Sequence, residues 1–402
     1  MDDFTSLGVL PVFAENLKKR GIGSPTAIQR LAIPPLLAGK SMAFRSATGT
    51  GKTFAYLIPA LQRMLGDIES AAAFRYGGPW VLVCAPTFEL CSQIKEEVDF
   101  LLTPALAAYR LAANHAPSSL LIGSVSLNRQ IESLKKNKAL TVVGNPGRLL
   151  MLAKMGKLKL RGLRFLVLDE ADRMTAAESL EETAALLGFI ARGSGSEEGG
   201  LQAAACSATI AGGTRDALAG MLPIFRNAET LASDEWGILQ ERIEHWAIFS
   251  EGRRKTQTLR SFLEAAKPKK ALVFAGRTDQ AGKLAAALQY HHVSAAGLYS
   301  GMEKKERKQA ADGFRSGKIT TLVSSDLAAR GLDFPGISHV IALDVPEDAD
   351  VYIHRAGRTA RAGKHGIMVS IGNEAEMRRL AVLEKKLNII VQPKDLYRGR
   401  VC

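Results

Sequence analysis

Residues 41–61 read SMAFRSATGTGKTFAYLIPAL: a short apolar run, then glycines and hydroxyl residues closed by Lys52 and Thr53, then apolar residues at Phe54, Leu57, Ile58 and Leu61. That last spacing repeats on one face of a helix, so the stretch reads as strand, loop, helix. A loop of small residues at such a junction turns backbone N–H groups toward an anion, and the helix adds the positive end of its dipole. Residues 46–53, SATGTGKT, therefore predict a phosphate-binding loop in which Thr48, Gly49, Thr50 and Gly51 wrap phosphate, Lys52 reaches its outer oxygens and Thr53 is placed for a divalent cation. Ser46 stands where the generic pattern has glycine and keeps the position small. A glycine-rich turn before a helix is the plain alternative, and Gly51-Lys52-Thr53 at this junction argues against it.

Outward from this stretch, short apolar runs alternate with amphipathic segments, the pattern of parallel strands joined by crossover helices. The runs fall at 41–45, 80–85, 141–144, 165–168 and 203–206, and the rhythm restarts at 271–275, 320–324, 339–343 and 367–371. The expectation is an α/β protein of two tandem parallel-sheet domains, 1–226 and 242–402. Residues 227–241 mix polar and small side chains without a sustained apolar period and read as a short linker. GSGSEEGG at 193–200 reads as a surface loop inside the first domain, and no repeat at solenoid periods is visible.

Composition narrows the class. The 402 residues exceed one ordinary core, and no stretch is long and apolar enough to span a membrane. Lys and Arg outnumber Asp and Glu by 53 to 40, a formal charge of +13 that favours a polyanionic partner, although solubility alone accounts for such an excess equally well. Cys84, Cys91, Cys206 and Cys402 show no metal-ligand spacing, which points to a reducing compartment and no cysteine-held metal. The opening MDDFTSLGV resembles neither a secretion signal nor a transit peptide, so a cytoplasmic location is expected.

Two further stretches carry chemistry. FLVLDEAD at 165–172 delivers Asp169 and Glu170 from the end of an apolar run; phosphoryl transfer to water needs one acid on the metal and another group on the water. VYIHRAGRTARAG at 351–363 spaces Arg355, Arg358 and Arg361 by three, with His354 in front. Alone this is a solvated helix face. Beside a phosphate-binding domain it offers cations to the charge that develops on a triphosphate during hydrolysis.

Together these motifs resemble the DEAD-box RNA helicases, from about Phe4 to the end of the second domain. GIGSPTAIQ at 21–29 resembles the family's glutamine motif, SAT at 207–209 the motif coupling hydrolysis to domain closure, SSDLAARGLD at 324–333 the motif touching RNA and nucleotide, and HRAGRTAR at 354–361 the arginine-finger motif. The resemblance implies tandem RecA-like domains and an RNA-stimulated ATPase using ATP and Mg²⁺. It gives ATP binding to Phe4, Gln29, Lys52 and Asp333, with Gln29 selecting adenine; the metal to Thr53 and Asp169, partly through water; the attacking water to Glu170; and the γ-phosphate to Arg358 and Arg361. Asp172, Ser207, Thr209 and His354 would couple the domains. Pro86, Thr87, Gly147, Arg148, Ser325 and Asp326 would line a single strand or short duplex of RNA by its backbone. Arg355 is open between this network and a structural role.

The departures lie on the RNA side. Phe88 replaces arginine in PTFEL (86–90), Asn145 opens NPGR (145–148), and Ser124 follows Gly123 where a second glycine is usual. Losing a charged fork at Phe88 motivates a second reading, an ATP-gated RNA clamp or assembly scaffold that unwinds weakly. A kinase or GTPase leaves the arginines of the second domain unexplained. The family resemblance further suggests a monomer working with ribosomal or RNA-turnover proteins and no membrane.

Overall fold

The computed structural model describes residues 3–46, 50–69, 78–110, 115–193, 200–207, 212–232, 242–276, 278–299, 301–326, 334–360 and 364–402. The chain divides into two compact units, the second beginning at Asp234. In the first, strands β1 (Met42–Arg45), β2 (Val81–Cys84), β3 (Ser118–Leu121), β4 (Thr141–Gly144), β5 (Phe165–Asp169), β6 (Gln202–Ser207) and β7 (Glu229–Ala232) form one sheet in the order β3-β4-β2-β5-β6-β1-β7. Every pairing is parallel.

The second unit contains β8 (Ile243–Phe249), β9 (Ala271–Phe274), β10 (Ala295–Leu298), β11 (Thr321–Ser324), β12 (His339–Ala342), β13 (Gly366–Gly372) and β14 (Val391–Pro393), again all parallel, in the order β10-β11-β9-β12-β13-β8-β14. Counting from β8 as first, this is the same permutation as in the first unit. The chain thus repeats one whole-domain topology that no short sequence period reveals. A small antiparallel hairpin, Leu396–Tyr397 with Arg400–Val401, follows.

The sequence misses β3, β7, β8, β10 and β14, and the reasons differ. β2, β4, β5 and β6 are buried at every position and read as unbroken apolar runs. β10 reads AAGL, without the branched or aromatic residues that mark strands. β7, with sequence ETLA, lies at the sheet edge against β1 and is largely exposed. Its pairing corrects the linker reading of 227–241: residues 229–232 belong to the first sheet, and 233–241 lie outside the described residues.

Side chains alternate across each sheet into two cores. Val81 and Val83 face the helices Pro11–Lys19, Ala27–Leu37, Lys52–Glu69 and Phe88–Ala108, while Leu82 and Cys84 face Pro146–Lys154 and Ala177–Gly193. The second unit is layered the same way by its own two clusters.

Two buried polar arrangements hold the second unit. Arg355, 2 % exposed on the helix Ala349–Ala356, donates from Nε and Nη2 to the two oxygens of Asp326 at 2.7 and 2.5 Å, and from Nη1 and Nη2 to the carbonyl and carboxylate of Asp344 at 2.7 and 2.9 Å. Its guanidinium lies over the Phe274 ring. The structural role left open for Arg355 is therefore the one observed: it ties the ends of β11 and β12 to one helix. On the same helix Tyr352 hydrogen-bonds and stacks on His245 of β8, at 2.8 Å between oxygen and Nδ1. Burial pushes the His245 imidazole down to about 4.

Replacing Arg355 by Leu leaves the half-buried carboxylates of Asp326 and Asp344 without their shared cation and is expected to cost about 1–3 kcal/mol, read by chemical denaturation of the intact chain. For His245, the unfolded chain takes up a proton as pH falls through about 6.5 while the folded chain resists until about 4, so stability is lost across that window. A loss on the order of 3 kcal/mol is expected between neutral pH and the bottom of the window, and His245→Gln should flatten it in thermal unfolding curves taken at several pH values.

Candidate active site and nucleic-acid interface

In a parallel sheet all strands end on one edge, and here the order of strands sorts the motifs along it. β5, β6 and β1 are consecutive, with Asp169 level with Cys206 and Arg45 level with Ser207. The phosphate loop after β1, the acids after β5 and Ser207 at the end of β6 therefore share one stretch of that edge, where open α/β sheets bind ligands. The Ser46 N–H donates to the Ser207 carbonyl at 3.1 Å and Lys52 Nζ to the Ser46 carbonyl at 2.7 Å, while the hydroxyls of Ser46 and Thr50 pair with each other. Thr48, Gly49 and Thr209 lie outside the described residues.

Gly51 must be glycine. Its φ is +91°, and a Cβ there would lie 2.4 Å from Gln29 Nε2. Gln29 reaches it because the helix Ala27–Leu37 begins with a capping box: Gln29 Oε1 accepts from the Thr26 N–H at 2.9 Å, and Nε2 donates to the Gly51 carbonyl at 3.0 Å. The amide expected to face adenine is thus also a helix cap and a strut under the phosphate loop, with one hydrogen and one lone pair left for a ligand. Phe4 is 2 % exposed and packed in the first core, where its ring supports the Gln29 helix.

Asp169 is 4 % exposed and accepts three hydrogen bonds, from the Tyr56 hydroxyl to Oδ2 at 2.8 Å and from the Cys206 thiol and the Glu170 N–H to Oδ1 at 3.0 and 2.9 Å. Burial raises its carboxyl above the usual range, with the thiol hydrogen bond, Tyr56 and Lys52 opposing. Burial in turn lowers the Lys52 ammonium, and Cys206, Asp169, Glu170 and Asp172 pull it back. Glu170 sits in the left-handed region at φ 54°, ψ 50°, a conformation costing about 1 kcal/mol or more in a non-glycine residue and concentrated at functional sites. Its carboxylate pairs with Arg173 at 3.1 Å, and Asp172 receives the Arg173 N–H. Thr53 and Asp169 are hard oxygen donors, and no group of three or more His, Cys, Asp or Glu able to hold a metal is present among the described residues. That sparse set suits Mg²⁺, which commonly takes one or two protein oxygens and completes its shell from substrate phosphates and water.

The other half of the edge, β3-β4-β2, gathers the segments expected to meet RNA. The Ala85 N–H donates to the Gly144 carbonyl and the Asn145 N–H to the Leu121 carbonyl, so the turns after the three strands lie side by side. Thr87 caps the helix Phe88–Ala108, its hydroxyl accepting from the Leu90 N–H, with Pro86 just before it. Phe88, first in that helix, is 46 % exposed. Gly147 opens the helix Pro146–Lys154 against the Glu182 carboxylate, 2.6 Å from where a Cβ would stand. The Arg148 guanidinium donates to the carbonyls of Val125 and Gly123 and to Gln130 Oε1, at 3.0 to 3.1 Å, and pins the turn after β3.

In the second unit Ser325 is buried after β11 and its hydroxyl has no partner among the described residues. Asp326, expected on RNA, is held through both oxygens by Arg355. His354 and Arg358 flank that arginine, and Arg358 is 7 % exposed. Arg361 and Asp333 lie outside the described residues. Sequence reasoning overlooked Tyr56, Cys206 and Glu182; of these only Tyr56 carried a signal, because a tyrosine inside a buried helix face needs a partner for its hydroxyl.

Residues 26–217 match the DEAD/DEAH box helicase family and residues 254–363 the helicase conserved C-terminal domain. The DEAD-box ATP-dependent RNA helicase CshC of Bacillus cereus is 32 % identical over 389 residues, covering 97 % of this chain and 92 % of its own. The ATP-dependent RNA helicase SrmB of Haemophilus influenzae is 31 % identical, covering 98 % of this chain and 85 % of its own. Among solved structures, S. cerevisiae Dbp5 bound to RNA and ADP BeF3 is similar with a TM-score of 0.80 at 25 % identity, over 98 % of this chain and 95 % of that one. With the glutamine, phosphate-loop and acidic motifs on one sheet edge and relatives matched along nearly their whole length, the chain belongs to the DEAD-box family of ATP-dependent RNA helicases.

Proposed function

We propose that this chain hydrolyses ATP to grip single-stranded RNA across its two domains and pry apart short duplexes. The observation that carries the reading is the division of the first sheet's edge: β5, β6 and β1 bear the phosphate and acid groups, while β3, β4 and β2 bear turns suited to a sugar-phosphate backbone. One rigid sheet thereby connects the two sites.

In this reading Lys52 and the loop amides hold the β and γ phosphates, and Gln29 offers adenine its remaining donor and acceptor. Thr53 and Asp169 would hold Mg²⁺, which supplies charge neutralisation between the phosphates. Glu170, aimed by its strained backbone, orients the attacking water. Arg358 and Arg361 add positive charge to the γ-phosphate when the domains close, and His354, Asp172, Ser207 and Thr209 link closure to hydrolysis. RNA runs past Pro86, Thr87, Gly147 and Ser325, while Arg148 and Asp326 act one step back by shaping the turns. A grip on backbone rather than bases predicts low sequence specificity. Mg²⁺ as the metal, a monomeric state, a cytoplasmic location and work alongside ribosomal or RNA-turnover proteins complete the reading; free cysteines at 84, 91, 206 and 402 support a reducing setting. The domain limits we propose are 1–232 and 242–402.

The exposed Phe88 favours a second reading, the ATP-gated clamp, because an aromatic face holds a strand without the charged fork. Separation of a short duplex by ATP and not by a non-hydrolysable analogue over many turnovers supports the helicase; RNA retention without separation supports the clamp.

Steady-state ATP hydrolysis with and without single-stranded RNA tests the mechanism. RNA should raise the rate, and Glu170→Gln should lower it by about 10²–10⁴-fold with nucleotide binding retained. Phe88→Arg should tighten RNA binding and steepen the dependence of log affinity on log salt by about 0.7, the increment for one phosphate contact on a single strand.

A further inference from the structure

Asp169 accepts three hydrogen bonds, and they are unevenly placed. A carboxylate has about four acceptor sites, two on each oxygen. Oδ1 receives both the Cys206 thiol and the Glu170 N–H and is filled; among the described residues Oδ2 receives only the Tyr56 hydroxyl, which leaves it one lone pair. Neither Tyr56 nor Cys206 has any surface to offer a ligand, since both are fully buried. The three donors come from three elements: the helix after the phosphate loop, the strand β6 and the turn after β5. The carboxylate cannot rotate about its terminal bond without breaking contacts on both sides. Tyr56 also stands one helical turn beyond Thr53, the other oxygen donor on the metal side, and the two side chains interact.

We infer that Tyr56 and Cys206 are positioning residues that lock the Asp169 carboxylate in one orientation, with Oδ2 the oxygen left facing the Mg²⁺ site and its water shell. The inference rests on the assignment of Asp169 and Thr53 to the metal. Tyr56 sets the direction of the free lone pair on Oδ2 and ties it to Thr53, and Cys206 stops the carboxylate from swinging that oxygen away. Both act through Asp169, so their effect belongs to the metal and not to the nucleotide itself.

The test is the Mg²⁺ concentration required for tight binding of a fluorescent ADP analogue to the full chain, compared with binding in chelator. Tyr56→Phe and Cys206→Ala should each raise the half-saturating Mg²⁺ about tenfold, the usual scale for groups that orient a metal ligand, while affinity in chelator stays unchanged. Cys206→Ser, which keeps a donor, should restore most of the loss. Equal weakening with and without Mg²⁺ would mean that the substitutions merely loosen the site, and an unchanged Mg²⁺ requirement would mean that the donors do not matter; either overturns the inference. Asp169→Asn in parallel separates the two layers. If it leaves the Mg²⁺ requirement untouched, the metal assignment itself fails; if it raises the requirement and Tyr56→Phe does not, only the positioning role fails.

Discussion

A parallel sheet can be built only by carrying the chain back over one face between strands, so every strand finishes on the same edge. In this protein that constraint brings motifs distant in sequence within reach of one another. Residues 46, 50–53, 169–172 and 207 meet because β1, β5 and β6 are neighbours, and residues 86–88, 123–125 and 145–148 meet because β2, β3 and β4 are. The hydrogen bonds that cross between loops, such as Ser46 to Ser207 and Asn145 to Leu121, extend the ladder a residue or two past the strands and make the edge a continuous surface.

Much of this was legible in the sequence for one physical reason: strands buried on both faces must be apolar at every position, so β2, β4 and β5 announce themselves. β7 and β10 do not, one because an edge strand can be exposed and the other because small residues pack there without strand character. The phosphate loop and the acids were legible because their chemistry demands fixed residue types at fixed spacing. What sequence could not supply was which polar groups already have partners. Arg355, Arg358 and Arg361 look equivalent at a spacing of three, yet Arg355 is committed to Asp326 and Asp344. Arg148 looks like a free cation and already holds the turn after β3. Phe4 looks like a free aromatic and packs into the first core. Each difference arises from tertiary neighbours brought together by the sheet order, which no local pattern encodes.

Gln29 shows how one side chain can serve several layers at once. It completes the cap of its own helix, braces the carbonyl of Gly51 and retains capacity for a ligand. A residue so placed makes the start of one helix and the shape of the phosphate loop depend on each other, so that loop geometry is inherited from the fold and not improvised on binding.

The repeated strand order has a different kind of consequence. Each copy of the topology encloses its own pair of apolar clusters. A chain built of two such units is not bound to unfold in a single step. Where one half opens before the other, its sheet meets proteases first, and the damage surfaces as a fragment rather than as a lowered melting point of the whole molecule.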